Sequence, residues 1–221
     1  KWLDKVLDSR PLLGKVAKAQ KGNMTAGKEV SKMALSTFQG VDGPLAKEFQ
    51  HLVDWAVKKE KPDTIFLSTA MQVSLAPAIR RIANIPVYCS FQGEDTFLES
   101  LIEPYQSQIW ELMREASASV ERYISPSQAF AEYMSKHLAL RPEQIAIIPN
   151  GINLDGYEPR KEAPATPALG FLARMSHLKG MDLLVDAFIL LHKRKTIPSE
   201  TELRIAGTTL PDDQEYIDEQ I

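Results

Sequence analysis

Arg174 and Lys179 flank the segment Met175-Ser176-His177-Leu178, with Gly180 directly after. An apolar run precedes this segment and an apolar-periodic one follows it. Cations between a strand end and a helix start are suited to binding an anion. Arg can fork onto two phosphate oxygens, and Lys acts as a movable point charge. The helix N-terminus should add backbone N–H groups and a partial positive charge. Gly180 removes a side chain, so a phosphate can approach the backbone. These residues form a candidate diphosphate clamp. The competing reading is a solvated Arg and Lys in a surface loop, where such residues mostly lie.

Two further groups sit after apolar runs. Gln92, Gly93, Glu94 and Asp95 follow the first. Gly93 permits close approach and the carboxylates can accept hydrogen bonds from hydroxyl groups, although acidic residues also favour a first helical turn. Asn150-Gly151 follows the second and reads as a tight turn.

Other motifs carry less. Gly22-Asn23-Met24-Thr25-Ala26-Gly27-Lys28 has P-loop spacing, but Glu29 stands where a Ser or Thr should hold magnesium, and no strand precedes it. It reads as a turn into a helix carrying Val30 and Met33. The four histidines, His51, His137, His177 and His192, are scattered, all but His177 on predicted helices. No Cys/His cluster has metal-ligand spacing, and Cys89, inside an apolar run, reads as a core thiol.

Short apolar or β-branched runs predict strands at 64–68, 85–91, 121–125, 145–148, 168–173 and 202–206. Helical periodicity lies between most of them. Asp42-Gly43-Pro44 reads as a helix start, followed by a stripe of Leu45, Phe49, Leu52, Val53, Ala56 and Val57. Met181, Leu184, Val185, Phe188 and Leu191 form a second stripe. A third helix spans 127–137, with Ser125 or Ser127 as its cap. Strands alternating with helices imply α/β architecture, with parallel sheet covered on both faces. Residues 157–167, with three prolines, read as a linker between domains at 1–156 and 168–221. Two strands and two helices after the linker cannot cover their own apolar faces, so the second domain is expected to be partial; both chain ends read as cut, so the first is expected to be partial too.

Hydrophobic residues make up 44% of the 221-residue chain and charged residues 25%, in the range of ordinary soluble globular proteins. A net charge of −3 argues against a dedicated nucleic-acid binder. No run is long enough for a transmembrane helix, and a cytoplasmic setting is expected. Lys15, Lys18 and Lys21 on one predicted helix are compatible with peripheral membrane association, against the competing reading of a solvated stripe.

Leu172-Ala173-Arg174, then Lys179-Gly180-Met181-Asp182-Leu183-Leu184-Val185-Asp186-Ala187-Phe188, resembles the signature of glycosyltransferase family 4. Leu203-Arg204-Ile205-Ala206-Gly207 resembles the family's next strand, and Pro149-Asn150-Gly151-Ile152-Asn153 its Pro-Asn-Gly-Ile/Val-Asp turn, with Asn153 in place of Asp. The resemblance implies a GT-B fold of two Rossmann-like domains. It also implies a retaining transfer from a nucleotide-diphosphate sugar to an unidentified acceptor, with no cofactor and no bound metal. Arg174 and Lys179 inherit the donor-diphosphate role, and with it the catalytic one, while Gly180 joins them in donor binding. Gln92, Gly93, Glu94, Asp95, Asn150 and Gly151 fall on the acceptor or cleft side, Gln92 near where many members carry a His. A non-catalytic GT-B-like module and another enzyme of sugar-nucleotide metabolism are the rival readings.

Overall fold

The computed structural model describes residues 26–159, 162, 164–209 and 213–220. Lys15, Lys18, Lys21 and most of the P-loop-like turn lie outside the described residues. The chain divides into two compact units, the first ending at Ile152 and the second beginning at Asn153.

In the first unit, helix α1 spans Ala26–Phe38 and carries Val30 and Met33. A 3-10 turn at Gly40–Asp42 follows, then α2 at Ala46–Asp54, continued by a π-helical turn at Trp55–Lys59. The helix starts later than its Asp42-Gly43-Pro44 signal. Gly40 turns the chain with φ +56, and the bonds Asp42 N to Gln39 O and Gly43 N to Gly40 O tighten it first. Asp42 therefore belongs to the turn, and no side chain caps α2. Of the expected stripe, Val53 and Val57 are buried and Phe49 packs on the core, while Leu45 and Leu52 are exposed.

Strands β1 (Ile65–Leu67), β2 (Val87–Ser90), β3 (Arg122–Ser125) and β4 (Ile145–Ile147) form a parallel sheet in that order. All lie within the predicted runs. The crossovers carry α3 (Ala76–Ala83, after a 3-10 segment Ala70–Leu75), α4 (Asp95–Glu99), α5 (Tyr105–Ser117) and α6 (Gln128–Leu138). Ser127 caps α6, its hydroxyl accepting from Phe130 N at 3.2 Å.

Leu67, Val87, Cys89, Tyr123 and Ser125 point into the core, whereas Phe66, on the other face, is 52% exposed and Arg122 is exposed too. The expectation of helices on both faces is thus corrected among the described residues. Strands laid down in chain order, joined by crossovers of one hand, place their helices on one side. In the core, Phe91 stacks on Tyr123 at 4.7 Å, and the Tyr123 hydroxyl donates to Ser117 Oγ at 2.8 Å. Burial pushes the Tyr123 phenol and the Cys89 thiol up, keeping both neutral.

In the second unit, β5 (Ala168–Leu172) pairs in parallel with β6 (Glu202–Ala206), joined through α7 (Met181–Lys193). A short helix α8 covers Gln214–Asp218. The predicted stripe on α7 holds: Met181 is buried, and Leu184, Val185, Phe188 and Leu191 are half-buried. Residues 157–167 contain no helix or strand among those described. No described helix is long and apolar enough to cross a membrane.

Candidate functional site

The clamp residues lie on one loop at the carboxyl end of β5. Ala173 N donates to Ala206 O at 3.2 Å and Met175 N to Thr208 O at 2.9 Å, so the loop leaves the sheet alongside the end of β6. Ser176 is buried, and Arg174 Nη2 lies 3.5 Å from its hydroxyl. A 3-10 turn, His177–Lys179, then leads to Gly180, which begins α7. Arg174 and Lys179 are exposed. Neither forms an ion pair among the described residues, unlike Lys58, Arg80, Arg141 and Arg204, each of which meets a carboxylate. Two uncompensated cations share a short, well-braced loop.

Gly180 has φ +69, and a Cβ there would meet only Leu183 Cδ1 at 3.8 Å. The left-handed backbone therefore requires the glycine, rather than lack of room. Gly207 is constrained differently: a Cβ there would overlap the Ala173 carbonyl. The two strand ends approach so closely that no other residue fits.

The start of α7 differs from the expected row of free N–H groups. Asp182 N donates to the Tyr216 hydroxyl at 3.0 Å, and that hydroxyl donates to Asp182 Oδ1 at 3.0 Å. Asp182 Oδ2 lies 3.3 Å from His177 Nδ1. Burial opposes the charge on Asp182. The Tyr216 hydroxyl, the backbone N–H groups of Leu183 and Asp182, and His177 outweigh it and hold the carboxyl below its ordinary range. The first turn of α7 is thus largely satisfied from within the protein.

In the first unit, parallel strands put their following loops along one rim of the sheet. Glu94 is 4% exposed. Its Oε1 accepts from Thr69 Oγ1 at 2.6 Å and Ala70 N at 2.8 Å, and its Oε2 from Gln92 N at 2.8 Å. The carboxylate ties the loop after β1 to the loop after β2. Ser90 Oγ adds a bond to Ser68 O at 2.7 Å. Glu94 thus holds the rim from inside, while exposed Gln92 and Gly93 and half-exposed Asp95 present outward. Gly93, at φ +87, makes the turn between them.

Asn150 and Gly151 follow β4, two strands away from β2, and are exposed. They run without a turn, and Gly151 is not among the residues of positive φ. The tight turn falls later. Gly156 has φ +83, Asn153 Oδ1 accepts from Asp155 N at 2.9 Å, and Tyr157 N donates to Leu154 O at 3.0 Å. An Asx side chain with a left-handed glycine closes the turn better than Asn150-Gly151, which forms no turn.

The structure groups Arg174, Lys179 and Gly180 on one loop of the second unit, and Gln92, Gly93, Glu94 and Asp95 on the rim of the first. Sequence reasoning missed Thr69 and Tyr216, and named Gly207 only as the end of a strand. Thr69, following β1 as a hydroxyl at the start of a helical turn, carried a cap signal. Tyr216 carried none, because its partner is 34 residues away. Among the described residues no three His, Cys, Asp or Glu side chains gather as a metal site.

A family model for Glycosyltransferase Family 4 matches residues 34–155, more than half of the chain. None of the curated proteins matches it. Among solved structures, HepE of Anabaena in complex with UDP is similar with a TM-score of 0.58 and 19% identity, over 76% of this chain and 46% of that one. HepE in complex with UDP-glucose gives 0.55 and 19%, with the same coverage. A mutant of S. aureus TarM in complex with Fondaparinux, alpha-GlcNAc-glycerol and UDP gives 0.55 and 15%, over 78% of this chain and 34% of that one. The likeness is one of fold, and the fold is GT-B. The chain spans less than half the length of these structures.

Proposed function

The chain belongs to glycosyltransferase family 4, and from that premise we propose that it forms part of a retaining enzyme moving a sugar from a nucleotide-diphosphate sugar to an acceptor. One observation carries the reading: Arg174 and Lys179 are exposed, without an ion-pair partner among the described residues, on one loop at the carboxyl end of β5. Ligands of parallel α/β sheets bind at that end. The uridine diphosphate in the HepE and TarM structures supports a donor of that class here.

As the sugar departs, negative charge grows on the diphosphate. Arg174 and Lys179 stabilise that charge, and side-chain cations supply the countercharge without a resident metal or cofactor. Preorganised charge of this kind is often the largest catalytic contribution. Gln92, Gly93, Asp95, Asn150 and Gly151 supply acceptor-side contacts, and Glu94 keeps their rim in shape. A cytoplasmic setting, with peripheral membrane docking, completes the proposal.

The test is UDP release from UDP-glucose by the full-length protein. Arg174→Ala and Lys179→Ala should each lower turnover about 10²–10³-fold, or about 2.7–4 kcal/mol. Wild-type turnover in both variants would remove the clamp. UDP binding without any turnover by the unaltered protein would mark a binding module instead.

A further inference from the structure

We infer that Tyr216 is a positioning residue for Lys179, an inference that rests on the reading of Arg174 and Lys179 as a diphosphate clamp. Lys179 ends the 3-10 turn His177–Lys179, held locally by Lys179 N to Ser176 O at 2.9 Å and Gly180 N to His177 O at 3.0 Å. Gly180 follows in the left-handed conformation. Glycine loses more conformational freedom on ordering than any other residue, so a turn joined to a helix through it needs an outside restraint.

Tyr216, on α8, provides that restraint at both ends of the turn. Its ring lies edge-on to His177, with centroids 5.4 Å apart at 83°. Its hydroxyl accepts from Asp182 N and donates to Asp182 Oδ1, both at 3.0 Å, while Asp182 Oδ2 reaches back to His177. Lys179 stands between two points pinned by one phenol. A second consequence follows. The Tyr216 hydroxyl and the Asp182 carboxylate already occupy the start of α7, so diphosphate recognition falls to the side-chain cations. The direction in which Lys179 leaves the backbone then governs binding.

The experiment measures UDP affinity of the full-length protein by calorimetry, for wild type, Tyr216→Phe, Lys179→Ala and the double variant. Phe keeps the ring edge against His177 and removes only the hydroxyl. The variant loses both hydrogen bonds of the hydroxyl, and a share of that restraint worth about one bond, felt at Lys179, should weaken UDP binding about 2- to 12-fold. In the Lys179→Ala background the same change should cost less than about twofold, because the restrained group is gone. Hydrogen exchange should show the Asp182 amide opening faster in Tyr216→Phe. An equal loss in both backgrounds, or no loss in either, overturns the positioning role. Lys179→Ala with undiminished UDP affinity overturns the clamp itself. Weakened binding in Lys179→Ala with none in Tyr216→Phe overturns positioning alone.

Discussion

Glu94→Gln separates a structural carboxylate from a ligand-binding one. The native side chain accepts three hydrogen bonds, from Thr69 Oγ1, Ala70 N and Gln92 N, at 4% exposure. A carboxamide of the same shape can keep its oxygen on Thr69 and Ala70. Its NH₂ group must then face the Gln92 N–H, donor against donor. Bonds to a charged acceptor contribute about 1.5–3 kcal/mol each, neutral ones about 0.5–1.5, and an unsatisfied buried donor costs about 1–3. Two weakened bonds and one orphaned N–H together should destabilise the first unit by about 3–5 kcal/mol. Trp55 and Trp110 belong to that unit, and residues 153–221 contain no tryptophan, so urea unfolding followed by Trp fluorescence reports on it. The midpoint should fall with little change in slope. UDP affinity of the folded protein should stay at the wild-type value, since the clamp lies in the other unit. Stability within about 1 kcal/mol of wild type, combined with lost binding, would refute the argument and return Glu94 to the ligand.

The two glycines at opposite extremes of crowding make a second test. Gly207→Ala should destabilise the second unit by more than about 3 kcal/mol because its Cβ overlaps the Ala173 carbonyl. Gly151→Ala, with nothing near its Cβ and no positive φ, should stay within about 0.5 kcal/mol; amide exchange in each unit reads both. Ser127→Ala removes the cap of α6 and should cost about 1 kcal/mol, visible as a lower fluorescence midpoint. Asp182 gives a pH test. Its folded pKa lies below the ordinary 3.8, so its stabilisation is complete above that value and is lost as pH falls through the folded one. The protection of α7 amides, taken relative to their intrinsic exchange rate at each pH, should therefore fall below about pH 4 in wild type, with a smaller acid-dependent change in Asp182→Asn.

Much of this protein was written in local pattern. Every strand lies within a predicted run, because short β-branched and aromatic runs favour strands whatever surrounds them, although β5 and β6 are largely exposed rather than buried. The α7 stripe and the Ser127 cap were equally local. So were Arg174, Lys179 and Gly180 as a group, because one strand, one turn and one helix start present them together. Glu94 shows where such reading stops. Its type suggested a carboxylate offered to hydroxyl groups, but its three partners come from two loops joined only when β1 and β2 pair. The Asn150-Gly151 turn gave way to Gly156 because Asn153 closes that turn with its own side chain. The free helix start at α7 gave way to Tyr216, from far along the chain. Sequence alone determined the elements and the charges on the β5 loop, which depend on neighbours in the chain. Only tertiary structure decided which carboxylate is internal, which amides are already satisfied and why Gly207 must lack a side chain, since each depends on a partner brought close by strand pairing or helix docking.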